Sequence, residues 1–522
     1  MKRKYSLFLI IILLLSVGCF TSCSAEEDIT ELSISASSVS SSMTDVEESV
    51  TVQAVAVGGI APYRYKYEYN TTEGEHITAA ETDTDSCMLK MPDSPCVCYI
   101  ILTVTDSSGE SAQKEFEVTV KSASGKPLED SGSKIVSERI SSGRDITVIP
   151  AFTGGTAPYS YNYELISDGN TKALNESPVK TSDFSFQAPV ETGGKTLRIT
   201  AVDCDGNECV KYIDFTVKSV VDVQTPYTSE QVYKDINQLV QNYPDLIKQY
   251  TIGQSEQGKD IPLITLGSGE KKACIVAGIH SREHVSITFT MKCIEEYAAA
   301  LSKNRKYGEY DLNELFSEYT LYIVPMCNPD GTDISTAGAL PFEGIGTPDK
   351  DEYKLNANGV NLNRNFPFCW NAQYYDQEAK PGDSVYAGTY GGSEKETQAI
   401  IRLCAENDFE WLLDMHIVGN GIYWRDSKNG IIPGDAKLTK ALAGRCGYRI
   451  FLKTTNPSEY SGGLENWFRA VYNKPALCIE LISPEQSNQI KSYINYNLYF
   501  SLAVNWEYTK YTYLEAISSC LR

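Results

Sequence analysis

One stretch of the chain occurs twice, and this duplication limits how the N-terminal part can fold. Thr51-Val-Gln-Ala-Val-Ala-Val-Gly58-Gly-Ile-Ala-Pro62-Tyr-Arg-Tyr-Lys-Tyr67 recurs as Thr147-Val-Ile-Pro-Ala-Phe-Thr-Gly154-Gly-Thr-Ala-Pro158-Tyr-Ser-Tyr-Asn-Tyr163, an offset of 154 − 58 = 96 residues. Each copy closes on a similar strand, Phe116-Glu-Val-Thr-Val-Lys121 and Ile213-Asp-Phe-Thr-Val-Lys218. Tyr-x-Tyr-x-Tyr has the two-residue period of a strand, which puts the tyrosines on one face. Short β-branched strands and Gly/Pro turns predict two all-β sandwiches, at 26–124 and 125–219. The tyrosine stripe is expected to serve core packing ahead of glycan binding. His76 is expected in a polar loop of the first copy, with no chemical role.

Near residue 220 the pattern changes. Val232, Ile236 and Leu239 stand at helical spacing. The apolar runs Ala273–Ala277, Thr320–Pro325, Glu410–Asp414 and Ala476–Glu480 then alternate with amphipathic helical stretches. Runs apolar on both faces and separated by helices predict an α/β domain over 220–522, its mixed, mostly parallel sheet covered by helices. Ligands of such folds bind at the C-terminal strand ends. With 46 Lys+Arg against 68 Asp+Glu the net charge is −22, which repels a phosphate backbone and excludes nucleic acid as a partner. Residues 1–25 read as a signal peptide: Lys2, Arg3 and Lys4 precede the apolar run Leu7–Leu15, too short to span a bilayer. Cys19 and Cys23 sit in imperfect lipoprotein boxes, so a lipid is the one expected form of membrane attachment. The mature chain is expected to be secreted or at the cell surface. Among fifteen Cys, Cys204 and Cys209 flank an Asp-Gly turn where a bridge is expected, and Cys87, Cys96 and Cys98 offer another.

Three of the chain's four His stand after apolar strands, at His280, His284 and His416. His280 and Glu283 are three apart, so one turn can aim both at an ion, and His416 arrives from a distant strand. Two imidazoles and a carboxylate are the donors of a catalytic zinc site, which keeps a position open for water. Glu480 is a charge inside the otherwise apolar Ala-Leu-Cys-Ile-Glu-Leu-Ile, a costly burial without a function.

Residues 227–510 resemble the zinc metallocarboxypeptidases of the carboxypeptidase A/B type, including their bacterial secreted branch. The resemblance rests on Gly253-Gln-Ser-Glu-Gln-Gly-Lys-Asp-Ile261, His280-Ser-Arg-Glu283, Asn328-Pro-Asp-Gly331, Gly359-Val-Asn-Leu-Asn363-Arg364-Asn-Phe366, His416, Ser461-Gly-Gly463 and Ile479-Glu480-Leu, in the family's order. The N-terminal copies resemble immunoglobulin-like or PKD-like modules of bacterial surface proteins. The first resemblance implies one Zn2+ per catalytic domain on His280, Glu283 and His416, with Glu480 as general base and acid. It implies that Asn363 and Arg364 grip a substrate's terminal carboxylate and that Arg282 adds a further contact. Departures accompany it. Lys354 stands where relatives have an oxyanion-stabilising arginine, and Asn361 where many have Asp. Ser458 falls at the position of the capping tyrosine, with Tyr460 the nearest substitute. Glu465 falls near the base of the specificity pocket, where an acid suits an amine-bearing side chain.

The implied activity is removal of C-terminal residues from peptides by an exported zinc hydrolase. The alternatives are a cell-wall peptidase of the same family, cutting γ-D-glutamyl-diaminopimelate stem peptides, and a non-catalytic surface protein whose sandwich modules contact wall or glycan. The literal His280-x-x-Glu283-His284 string also fits an inverted zincin helix, a reading that leaves His416, Asn363, Arg364 and Glu480 without roles.

Overall fold

The computed structural model describes residues 30–180, 183–337, 353–370, 379–482 and 504–522. The expected signal segment lies outside them. The chain forms two compact units, one of residues 1–135, 148–184 and 196–213, the other of 136–147, 185–195 and 214–522.

The first unit is all-β. Strand Arg64–Thr71 pairs antiparallel with His76–Thr82 on one side and Cys96–Thr105 on the other, and Ser111–Ala123 continues beyond Cys96–Thr105. His76 thus begins a strand instead of lying in a loop. In the second copy, Ser160–Ser167 pairs antiparallel with Asn170–Ala173 and with the strand through 196–202. The duplicated motif makes the same bonds in both copies. Tyr63 and Tyr159 donate to the carbonyls of Gly58 and Gly154, each at 2.6 Å. Asp106 and Asp203 accept from the N–H groups of Ile60 and Thr156 at 2.8 and 3.0 Å. The paired glycines are needed because Gly154 takes φ = +84°, and a Cβ there would lie 1.8 Å from the Pro127 carbonyl oxygen. Tyr65, Tyr67, Tyr69, Tyr161 and Tyr163 are all buried, so the stripe is core. No bridge joins Cys204 to Cys209. Cys204 Sγ lies 3.3 Å from the Pro158 carbonyl, and the thirteen described cysteines carry free thiols. Cys96 and Cys98 share a strand face with sulfurs 3.7 Å apart, well beyond a bond of about 2.05 Å.

The second unit is built on eight strands: β1 (Ile247–Gln254), β2 (Asp260–Leu266), β3 (Lys271–Ala277), β4 (Tyr319–Val324), β5 (Phe409–Val418), β6 (Gly421–Tyr423), β7 (Arg449–Ile450) and β8 (Ala476–Ile482). Their order is β1-β2-β4-β3-β5-β8-β6-β7. The central β4, β3, β5 and β8 run parallel, while β1–β2, β2–β4 and β8–β6 are antiparallel. Six helices are named here: α1 (Ser229–Asn242), α2 (His284–Ser302), α3 (Lys395–Glu406), α4 (Asp435–Cys446), α5 (Leu464–Tyr472) and α6 (Thr512–Leu521). Thr228 caps α1 by accepting from Gln231 N–H at 3.2 Å, and Val232, Ile236 and Leu239 are its buried stripe.

Alternation along the central strands sends side chains into two cores. Ala273, Ile275, Leu413, Met415, Leu477 and Ile479 join α1, α2, α4 and α6 residues in one. Cys274, Val276, Leu412 and Ala476 join α3 and α5 residues in the other. Asp414, His416, Cys478 and Glu480 follow Leu412 and Ala476 by even steps, so the sheet's period of two places them on that second face. One charged group holds the outer strands' surroundings together. Arg469 of α5, fully buried, donates to Asp426 Oδ2 at 3.0 Å, Asp435 Oδ2 at 2.7 Å and the Gly430 carbonyl at 2.8 Å. Replacing it by Met strands two buried carboxylates. Arg469→Met is expected to destabilise this unit by about 3–5 kcal/mol, read as a lowered denaturant midpoint.

Candidate active site

The site assembles at the C-terminal ends of β3, β5 and β8. Gly278 turns the chain out of β3 with φ = +64°, and a Cβ on it would meet the Ile287 side chain at 2.8 Å. Glu283 is the N-cap residue of α2, its carbonyl accepting from Ser286 N–H at 3.0 Å. His280 and Glu283 thereby fall on one turn. His416 lies opposite Glu480 in the parallel register of β5 and β8.

His280 Nδ1 lies 2.9 Å from Glu283 Oε1, and His416 Nδ1 lies 2.8 Å from Glu283 Oε2. The ligating atoms of all three residues lie within 4.8 Å of one another. On the far side of each ring an acceptor holds Nε2: Asn361 Oδ1 at 3.1 Å from His280 and Asp414 Oδ2 at 3.0 Å from His416. The orientation of Asn361 is fixed, because its oxygen accepts from Asn363 N–H at 3.0 Å and its nitrogen donates to the Ser384 carbonyl at 2.9 Å. His416 Nε2 also lies 3.1 Å from Asn363 Nδ2, and the Nδ1 atoms of both rings face oxygens of the one Glu283 carboxylate. Two imidazoles and one carboxylate, backed by outer acceptors, are a donor set that fits zinc.

The electrostatics follow from burial. Burial pushes the His280 imidazolium down to about 4, against the pull of Glu283. His416 is also buried, but the carboxylates of Asp414 and Glu283 outweigh that and hold it well above its ordinary value. Glu283 is buried too, yet the two histidines hold it well below the usual carboxylate range. Burial pushes Glu480 up to about 8, opposed by His416 and helped by Glu283. Its Oε2 accepts from Val418 N–H at 2.5 Å, which fixes the carboxyl beside the histidines.

A cavity of about 190 Å³ opens beside these groups. Of the residues singled out from sequence, His280, His416, Glu480, Asn363, Arg364, Tyr460 and Glu465 line it. Arg364 ends a turn of 3-10 helix (Leu362–Arg364), and Asn363 accepts at its side-chain oxygen from Leu464 N–H at 2.8 Å. Gly462 N–H donates to the Phe368 carbonyl at 2.8 Å, while the Gly462 carbonyl accepts from Phe366 N–H at 3.1 Å, so the Ser461-Gly-Gly463 loop is tied to the Asn-Arg-Asn-Phe segment. Tyr460 is a lining residue and Ser458 is not. Arg282 and Lys354 do not line the cavity, although the Lys354 charge contributes to lowering His280. His284 opens α2 with Nε2 3.2 Å from Ser335 Oγ, away from the other two histidines' shared carboxylate.

Asp414 escaped the sequence reading, although its signal was present. It is a charge in an apolar strand, two residues before His416 and therefore on the same face. Tyr423, Trp424, Arg425, Thr454, Glu459, Asn466 and Cys478 also line the cavity, brought there by β6, the loop after β7, α5 and β8.

Residues 232–466 match the zinc carboxypeptidase family. The chain is 27% identical over 271 residues to gamma-D-glutamyl-L-diamino acid endopeptidase 1 of Lysinibacillus sphaericus, covering 50% of this chain and 67% of that protein. It is 27% identical over 274 residues to protein YqgT of Bacillus subtilis, covering 50% and 72%. It is 26% identical over 172 residues to a zinc carboxypeptidase of Saccharothrix mutabilis subsp. capreolus, covering 30% and 37%. The chain therefore carries a domain of the zinc carboxypeptidase family, a family of zinc-dependent hydrolases, behind an all-β N-terminal region.

The outer acceptors give a direct test of the centre. Asp414→Asn is expected to lower zinc affinity about 10–100-fold and Asn361→Asp to raise it, both measured by competition with a chromogenic chelator.

Proposed function

We propose that the chain is an exported carboxypeptidase that hydrolyses the amide bond before a residue carrying a free carboxylate, with Glu480 as its general base and acid. The observation that carries this reading is the register pairing of His416 with Glu480. It sets a half-buried carboxyl beside the three candidate ligands. His280, Glu283 and His416 would hold zinc, which supplies Lewis acidity toward the scissile carbonyl and an acidified water.

The chain's own groups do the rest. Glu480 takes a proton from the attacking water and delivers it to the departing nitrogen as the C–N bond breaks, leaving a carboxylate and an amine. Arg364 presents a guanidinium to the terminal carboxylate of the substrate, and Asn363 offers its amide beside it. Tyr460 closes one wall. Lys354 and Arg282 do not line the cavity, and no step is assigned to either. Export rests on the Lys2-Arg3-Lys4 and Leu7–Leu15 leader.

A second reading, hydrolysis of γ-D-glutamyl–diamino acid bonds in cell-wall peptides, is favoured by the Lysinibacillus sphaericus relative, whose name states that activity. It also suits Glu465, a buried acid among the cavity's lining residues. Glu480→Gln is expected to cut kcat/KM on a blocked dipeptide by about 10²–10⁴-fold while leaving stoichiometric zinc, measured by metal analysis. Hydrolysis by Glu480→Gln at the unaltered rate would remove Glu480 from the mechanism. No hydrolysis by the zinc-loaded parent protein would favour a binding role for the chain.

A further inference from the structure

The stretch that leads into α1, residues 220–227, is held along α2 and is no loose connection. Val220, Val221 and Tyr227 are buried in the same apolar core as residues of α1, α2, α4 and α6. Both ends of the stretch are tied to α2. Glu295, itself buried, accepts from Val220 N–H at 2.6 Å and from Val221 N–H at 3.0 Å. Those two N–H groups have left the last strand of the second copy and would otherwise be buried unpaired. At the other end the Tyr227 main chain is within hydrogen-bonding reach of the His284 ring. The Tyr227 hydroxyl donates to Asp235 Oδ2 of α1 at 2.6 Å, which fixes that end.

The two attachment points share one face of the helix. His284 and Glu295 are 295 − 284 = 11 residues apart, which leaves them about 20° apart around the axis and about 16 Å apart along it. Residues 220–227 can span at most about 25 Å, enough to run along that face against the helix direction. The end of α2 held by Tyr227 is the end that carries the metal ligand, since Glu283 is its N-cap residue. His284 also reaches the ligand turn from its other side. Ser335 Oγ lies 3.2 Å from His284 Nε2 and 3.0 Å from the carbonyl of Ser281, between His280 and Glu283.

We propose that residues 220–227 are a clamp on α2, and that His284 and Glu295 are positioning residues through which this clamp sets Glu283 and the grip on zinc. A ligand carried on the cap of a helix moves with the helix, so what holds the helix face holds the ligand. The inference rests on His280, Glu283 and His416 as the zinc ligands and is independent of which bond is hydrolysed.

The test follows zinc leaving the full chain for an excess of chromogenic chelator. Glu295→Gln keeps the volume but turns an amide N–H2 toward one of the two N–H donors. It is expected to speed zinc loss about 2–30-fold although it lies three turns from the ligand. A protease site engineered at the exposed Gln224-Thr225 lets the clamp be cut between its attachments in the folded, zinc-loaded protein. Cutting is expected to give the same acceleration, and this arm stands even where Glu295→Gln does not fold. His284→Phe is expected to change the visible d–d spectrum of the Co2+-substituted protein, and His284→Gln to return part of it. A loss of stability alone would leave that spectrum unmoved. Zinc loss unaltered by cutting, a folded Glu295→Gln that keeps zinc as the parent does, or an unchanged His284→Phe spectrum would overturn the clamp. Faster zinc loss on cutting in a chain that hydrolyses no peptide would support the clamp and defeat the hydrolytic reading alone.

Discussion

Everything in the C-terminal domain depends on keeping four ionisable side chains at the edge of an apolar sheet. Glu283, His416, Asp414 and Glu480 are buried or nearly so, and burying a charge without a partner is prohibitive. The arrangement is sustainable because each ring is held at Nε2 by an acceptor and at Nδ1 by a carboxylate oxygen. The sheet makes this repeatable: parallel β5 and β8 share a register in which His416 and Glu480 are neighbours, with no loop to position either. Only His280 and Glu283 come from a turn, and the left-handed Gly278 and the N-cap of α2 fix that turn.

Much of this was readable without coordinates, for definable reasons. A charge in an apolar strand is visible in one dimension, so Glu480 stood out, and the ordered run of short motifs made His280, Glu283, His416, Asn363 and Arg364 legible. The two-residue period of the duplicated tyrosines also carried over directly, since strand faces alternate whatever the surroundings. What could not be read was proximity created by non-sequential strands. Arg425 and Thr454 follow short outer strands with no motif, and they line one cavity with Glu465 because β6 is inserted next to β8 ahead of β7. Asp414 is a different kind of miss. The rule that selected Glu480 applies to it equally, since it is a carboxylate in an apolar strand on the same face as His416.

The cysteines teach the opposite lesson. Spacing across an Asp-Gly turn suggested a bridge, yet sulfur geometry is decided by side-chain direction at each strand position, which spacing does not encode. The Cys204 thiol is directed to a carbonyl. Cys274, Cys327 and Cys404 behave as small apolar fillers of the core between the sheet and α3, in keeping with their apolar sequence surroundings.

Arg469 and Arg425 divide two tasks, anchoring the segment after β6 and lining the cavity. The first is locked into a triad with Asp426 and Asp435 and anchors the segment that follows β6. The second, one residue before Asp426, lies over the Trp424 ring at 4.5 Å and lines the cavity. A change of side chain at position 425 alters what the cavity presents, while the rivet at Arg469 keeps the wall standing.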